Sequence, residues 1–241
     1  MIKKIKIPHY LFAGALLIII SVIFVPTLSL KIGNVFFGKI DILYNFKLAQ
    51  YFYILSTSKI IADPPQYSYY QLSRTYFIEG KLDEALEGAQ NELKLYPRST
   101  HTYYILGLTY GYMGNTYEAV NSFSKYIEHH PETWAGRNDK AWLQFRVGDI
   151  DGALSTIEPI AHNFKSTPWV QNTYCILLIN KKRYLEAKDV CENAKKIIDK
   201  MEEKDWGHAY PGNDPRIYSR GLQSMRQSIE ENLKLMTQNI P

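Results

Sequence analysis

The residues whose types could do chemistry are few and poorly grouped. His129-His130-Pro131-Glu132 sets two imidazoles beside a carboxylate, the raw material of a divalent-metal site. Two adjacent histidines leave the ligand set incomplete, and histidine at the end of a helix is favoured by the helix dipole, so the capping role is the better reading. Gly148-Asp149-Ile150-Asp151 resembles the start of a calcium loop but lacks the remaining oxygen ligands. His101, His162 and His208 stand apart from one another in the sequence. The 24 carboxylates are scattered, with no acid–base pair, and no phosphate-binding glycine loop, nucleophile elbow or H-E-x-x-H helix occurs. These observations point away from catalysis, and no catalytic residue, metal or cofactor is assigned. Two cysteines, Cys175 and Cys191, are too few for a disulfide framework and lack zinc-ligand spacing.

Bulk properties narrow the classes further. A chain of 241 residues, 46% hydrophobic and 22% charged, folds and buries a core. A net charge of +4 with dispersed Lys and Arg does not indicate nucleic acid. Nineteen tyrosines suit half-buried helix faces and binding surfaces. The N-terminus reads differently. Lys3, Lys4 and Lys6 precede a run without charge from Ile7 to Leu30, closed by Lys31. A helix of that length reaches about 36 Å, enough to cross a hydrocarbon core of about 30 Å. The run reads as a signal-anchor, with the basic end cytoplasmic and the rest of the chain outside, in the periplasm or at the cell exterior. A cleaved signal is the alternative: Thr27 and Ser29 are small enough to precede a cleavage site, although no A-x-A pattern follows.

The elements that must position any site are set by internal repetition. Gly80, Gly114 and Gly148 are spaced by 34 residues, as are Ala85, Ala119, Ala153 and Ala187, and Pro97 and Pro131. Between these marks lie pairs of amphipathic segments joined by the turns EGKLDEA, MGNTYEA, VGDIDGA and NKKRYLEA, in the last of which Lys182 replaces the turn glycine. Glycine supports a tight helix exit, and Asp or Asn can cap the helix that follows. Gly107, Ala119, Ala141, Ala153, Cys175 and Ala187 are small enough for close helix approach.

The unit Thr100 to Pro131, with Tyr103, Leu106, Gly107, Tyr110, Ala119, Phe123 and Pro131, resembles the tetratricopeptide repeat (W-x2-L-G-x2-Y, then A-x3-F, then P), with Tyr103 in place of Trp. Units from Gln66 to Pro97, Trp134 to Lys165 and Pro168 to about Met201 follow the same register with fewer matches. The resemblance implies an all-α, right-handed superhelical solenoid. Four domains follow: residues 1–31, basic end and transmembrane helix; 32–65, a helical cap or degenerate repeat, with Val35 to Ala62 helical; 66–201, four repeats; and 202–241, a loop and a capping helix that starts at Asp214-Pro215.

The resemblance also implies function: protein–protein interaction, with no small-molecule substrate. First helices of successive repeats would line a concave groove through Tyr70, Arg74, Phe77, Tyr104, Leu108, Tyr112, Trp142, Phe145 and Arg146. The same side chains also suit packing between repeats, Phe145 most of all. Arg74 and Arg146 would favour mildly acidic flanks on a partner segment. The lysine, asparagine and arginine clamp by which some family members hold carboxylates is absent: its positions are Tyr70, Arg74, Ile105, Ala135 and Asp139. Cys175 and Cys191 would be neighbours within one hairpin, either bridged or, the reading favoured from sequence, as two reduced core thiols. The chain thus reads as a membrane-anchored scaffold for a protein or peptide partner at the cell envelope. The alternatives are an exported soluble binding protein and an accessory subunit of a membrane enzyme or of a secretion or pilus assembly.

Overall fold

The computed structural model describes residues 25–39, 45–58, 62–203, 205–206 and 220–239. These fall in two compact units: one runs to Tyr76 and takes in Asp83–Ser99, and the other holds Phe77–Leu82 and the chain from Thr100 onward. Each is a stack of antiparallel helix pairs.

In the first unit, α1 (Pro26–Asn34) leads through a tight π turn (Val35–Lys39) and pairs with α2 (Phe46–Ser56). Proline at the first turn of α1 suits a helix start, and Asn45 caps α2 by accepting the Leu48 N–H. The helix pair closes around Tyr53, which packs against Gly33 so tightly that a Cβ there would meet its ring at 2.6 Å. α1 therefore takes up Pro26–Leu30, the last residues of the uncharged run read as a membrane segment, and buries Leu30 in a core with Ala49, Tyr53 and Leu72. α1 thus overlaps the end of the segment 1–31 that was read as the basic end and transmembrane helix. The remainder of the run lies outside the described residues. Among those described, no helix is long and apolar enough to cross a membrane. Of the stretch Val35 to Ala62 read as helical, the described residues hold the π turn and α2, and residues 40–44 and 59–61 lie outside them.

α3 (Ser68–Ile78) and α4 (Leu82–Leu95) form the first 34-residue pair. Ser73 Oγ donates to the Ala85 carbonyl, and Gly88 sits against Ser73, so the two helices touch where both sequences are small. Glu92 is fully buried on α4 and accepts the Tyr67 and Tyr70 N–H groups, closing the start of α3 with a carboxylate from its partner helix. Burial pushes that carboxyl up, opposed by these hydrogen bonds.

The second unit contains α5 (Thr102–Tyr112), α6 (Thr116–His129), α7 (Trp134–Arg146), α8 (Ile150–Ala161), α9 (Pro168–Asn180), α10 (Tyr184–Ile198) and α11 (Gly221–Asn239). The pairs α5–α6, α7–α8 and α9–α10 match the units read from the spacing, and α5, α7 and α9 lie side by side. α5 and α9 are buried nearly all round, which their apolar sequences require; α6, α8 and α10 each bury one stripe and show charge to solvent. Gly107 lies under Phe123, whose ring a Cβ would meet at 2.7 Å, and Ala141, Ala153, Cys175 and Ala187 are fully buried at the equivalent contacts. Gly80, Gly114 and Gly148 take φ of 72°, 83° and 84° at the turns, and Lys182 takes φ 58° at the fourth. Asp149 caps α8 by accepting the Gly152 N–H, which makes the apparent calcium motif a helix start, and Asp151 pairs with Lys181. α11 packs on α9 and α10 through Leu222, Ile229, Leu233 and Met236. The start predicted for it at Asp214-Pro215 lies outside the described residues.

Candidate functional site

A pocket of about 630 Å³ opens in the second unit where α5, α7 and α9 face α11. Its floor and walls carry Leu108, Tyr112, Trp142, Leu143, Trp169 and Trp206, with Asn138, Asp139, Arg146, Asn172, Thr173, Ser224 and Ser228 as the polar lining. Gly107 and Gly111 on α5 form part of one wall. The pocket exists because the first helices run side by side and because α11 rises beyond α9 as a far wall. Two contacts hold that wall: Asn172 donates to Ser228 Oγ at 3.3 Å, and Asn232 donates to Asn172 Oδ1 at 2.9 Å. Arg226 reaches from α11 to the Ile198 and Met201 carbonyls and closes the end of α10. Trp169 stacks between Trp134 and Trp206 at 5.9 and 4.6 Å, which stiffens the wall further.

The nine groove residues expected from the repeat register separate into three groups. Leu108, Tyr112, Trp142 and Arg146 line the pocket, and Trp142 is 39% exposed. Phe77, Tyr104 and Phe145 pack within the protein, the alternative that the sequence left open and favoured most for Phe145. Phe77 is buried edge-on against the Tyr112 ring. Tyr104 is buried against Phe123 and donates its hydroxyl to Asp139 Oδ2 at 2.8 Å. Phe145 packs on the core formed by α8, α9 and α10. Tyr70 and Arg74 belong to the first unit, where the Arg74 guanidinium lies over the Phe37 and Tyr70 rings and donates to Gln71. Arg74 is thus already engaged within that unit.

Sequence reasoning missed the polar half of the lining. Its signal was in the register: Asn138 and Asn172 occupy the position of Tyr104, and Asp139 and Thr173 that of Ile105. These are polar residues where the clearest repeat is apolar. Thr173 Oγ1 donates to Asn138 Oδ1 at 2.8 Å, which ties α9 to α7. Burial pushes the Asp139 carboxyl up to about 7, although hydrogen bonds from Tyr104 and Asn138 pull it down.

His130 stacks on His101 at 4.3 Å, with Tyr126 alongside and Thr100 Oγ1 within 2.9 Å of His130 Nε2, so His101 is a packing partner rather than an isolated residue. His162 meets the edge of Tyr174, and His208 lies outside the described residues. Among the described residues no three of His, Cys, Asp and Glu are placed to hold a metal ion. Cys175 and Cys191 lie in the α9–α10 hairpin with Cα atoms 5.3 Å apart and sulfurs at bonding distance, the arrangement of a disulfide, where the sequence favoured two reduced thiols.

Residues 100–129, which form α5 and α6, match the family model of the tetratricopeptide repeat. No curated protein matches the chain. Solved structures match its fold at low sequence identity. A mutant of MamA superposes with a TM-score of 0.58 at 17% identity, covering 71% of this chain and 96% of its own. MamA AMB-1 gives 0.57 at 16%, covering 73% and 93%. YrrB, described as a tetratricopeptide-repeat protein with an unusual peptide-binding site, gives 0.55 at 15%, covering 71% and 86%. The chain carries a tetratricopeptide repeat at residues 100–129 and has the stacked helix-pair fold of the tetratricopeptide-repeat proteins.

Proposed function

We propose that the chain is an interaction scaffold that holds a segment of a partner protein in the pocket-bearing groove of the second unit, on a right-handed superhelix anchored at the cell envelope. The observation that carries this reading is the pocket itself: a concave, mostly apolar site walled by three tryptophans, with Asp139 and Arg146 in its polar lining. Stiff aromatic surface of that kind is desolvated at low entropic cost and is where binding energy concentrates. That YrrB binds a peptide on the same fold supports a peptide-like ligand here.

Trp142 is the residue to test, because it is exposed on the groove while its neighbours serve the core. Trp142→Ala should weaken capture of the native partner from a detergent extract by roughly tenfold or more, a loss of about 1.4 kcal/mol or more. Tyr104→Ala is unsuitable for this test, since it removes a buried ring and strands Asp139. Unchanged capture by folded Trp142→Ala protein would move the site off this groove.

A further inference from the structure

The groove face of α7 presents Asp139, Trp142 and Arg146 at positions one and two turns apart. Asp139 takes hydrogen bonds from Tyr104 and Asn138, both neutral. Among the described residues no lysine or arginine pairs with it. An ionised carboxylate accepts about four hydrogen bonds, so its acceptor capacity is not filled, and it sits in a low-dielectric pocket where an unpaired charge is costly. The other polar groups of the lining are largely used within the protein: Asn172 by Ser228 and Asn232, and Thr173 by Asn138. The rings of Tyr112, Trp142, Trp169 and Trp206 line the same space, and aromatic faces attract cations. Arg146, two turns along the helix and exposed, forms no ion pair with any described residue.

Given that the groove is the partner site, we propose that the pocket takes a lysine or arginine side chain of the partner, seated against the Asp139 carboxylate and the Trp142 ring, with an acidic residue of the same segment facing Arg146. Seven helical residues separate the two charges by about 10 Å. An extended segment covers that distance in about three residues. The partner motif is therefore one basic and one acidic residue three positions apart, among apolar neighbours. This adds a basic residue to the expectation of a segment with mildly acidic flanks, which rested on Arg74 and Arg146.

The test uses the full chain in detergent, immobilised, and a pool of extended nonapeptides with apolar flanks and two randomised positions three apart. The expected result is enrichment of Lys or Arg at one randomised position and of Asp or Glu at the other. Asp139→Asn should reduce the basic preference by at least about tenfold while leaving helix content and the acidic preference intact. Arg146→Gln should remove the acidic preference alone. Asp139→Ser, which also removes the charge, should repeat the Asp139→Asn result and guards against an effect peculiar to asparagine. Retention that needs Trp142 but shows no preference for a basic residue, or shows an acidic one at both positions, overturns the charge assignment and leaves the groove. Retention unchanged in Trp142→Ala overturns the groove reading and the proposal with it, and failure to retain any member of the pool overturns the proposal.

Discussion

At the scale of single residues, two positions carry conflicts that measurements can expose. Lys182 adopts φ 58° where the three preceding repeats place glycine, and its side chain is exposed, so nothing in the packing requires lysine there. Lys182→Gly should therefore stabilise the protein by roughly 0.5–1 kcal/mol, net of the extra freedom glycine gives the unfolded chain. A thermal melt should move up by about 2 °C; a fall would mean that the lysine contributes a contact. Asp139 presents the opposite case, a charge in an apolar pocket. Its folded-state value of about 7 lies above the ordinary 3.8, so the folded chain holds the proton more tightly than the unfolded chain. The contribution of this group to stability therefore falls as pH rises from about 4 to about 7 and is flat beyond. Tyr104 from α5 and Asn138 from α7 hydrogen-bond to it, and Arg146, Thr173, Ser224 and Ser228 line the same pocket. Asp139→Asn should remove this slope, on the order of 2 kcal/mol after allowing for solvent in the pocket. Urea titrations of both proteins at pH 4, 5.5 and 7.5 give the difference directly, and parallel curves would contradict it.

At the scale of elements, the hairpins were legible because their contacts are local and repeated. A small residue every 34 positions marks the helix crossing, and a glycine every 34 marks the exit, so both helices of a pair could be placed without long-range information. What stayed hidden depended on contacts between distant parts of the chain. α1 is apolar enough to merge with the run before it, and only its packing on Tyr53 distinguishes it. The far wall of the pocket comes from α11, which meets α9 some sixty residues away through Asn172 and Asn232. Phe145 packs on the core, as its register suggested, while Trp142, three residues earlier, lines the pocket. The α9–α10 hairpin yields a prediction of its own. Cys175 and Cys191 are both fully buried and close a loop of 16 residues. In protein purified and unfolded without reductant, thiol titration should find no free thiol. Reduction should cost about 3 kcal/mol of stability, the chain-entropy value for a loop of this size. Two free thiols would return the pair to the role of small core residues.

At the scale of the whole molecule, the open question is where the helical array stands relative to a membrane. α1 starts at Pro26 and is packed, so the uncharged stretch left for a span is Ile7 to Val25. Nineteen residues in helical form cover about 28 Å, close to a hydrocarbon thickness of about 30 Å. The anchor we propose is therefore just long enough and leaves no linker: the chain would pass from the lipid directly into α1, and the first helix pair would stand at the membrane surface. Lys3, Lys4 and Lys6 would hold the short N-terminal end in the cytoplasm, since lysine-rich flanks are retained there. A paired Cys175 and Cys191 fits the far side, where thiols oxidise and stay oxidised. The predicted topology has the N-terminus inside and all helix pairs outside. A reporter that folds only outside the cytoplasm, fused after Pro241, should be active, and the protein should resist extraction by carbonate but yield to detergent. Neutralising Lys3, Lys4 and Lys6 together should lower reporter activity, because the orienting charge is gone. An active cytoplasmic reporter at the same position would reverse the topology. Release by carbonate, with an N-terminal sequence starting just after Ser29, would replace the anchor with a cleaved signal and leave the array free outside the cell membrane.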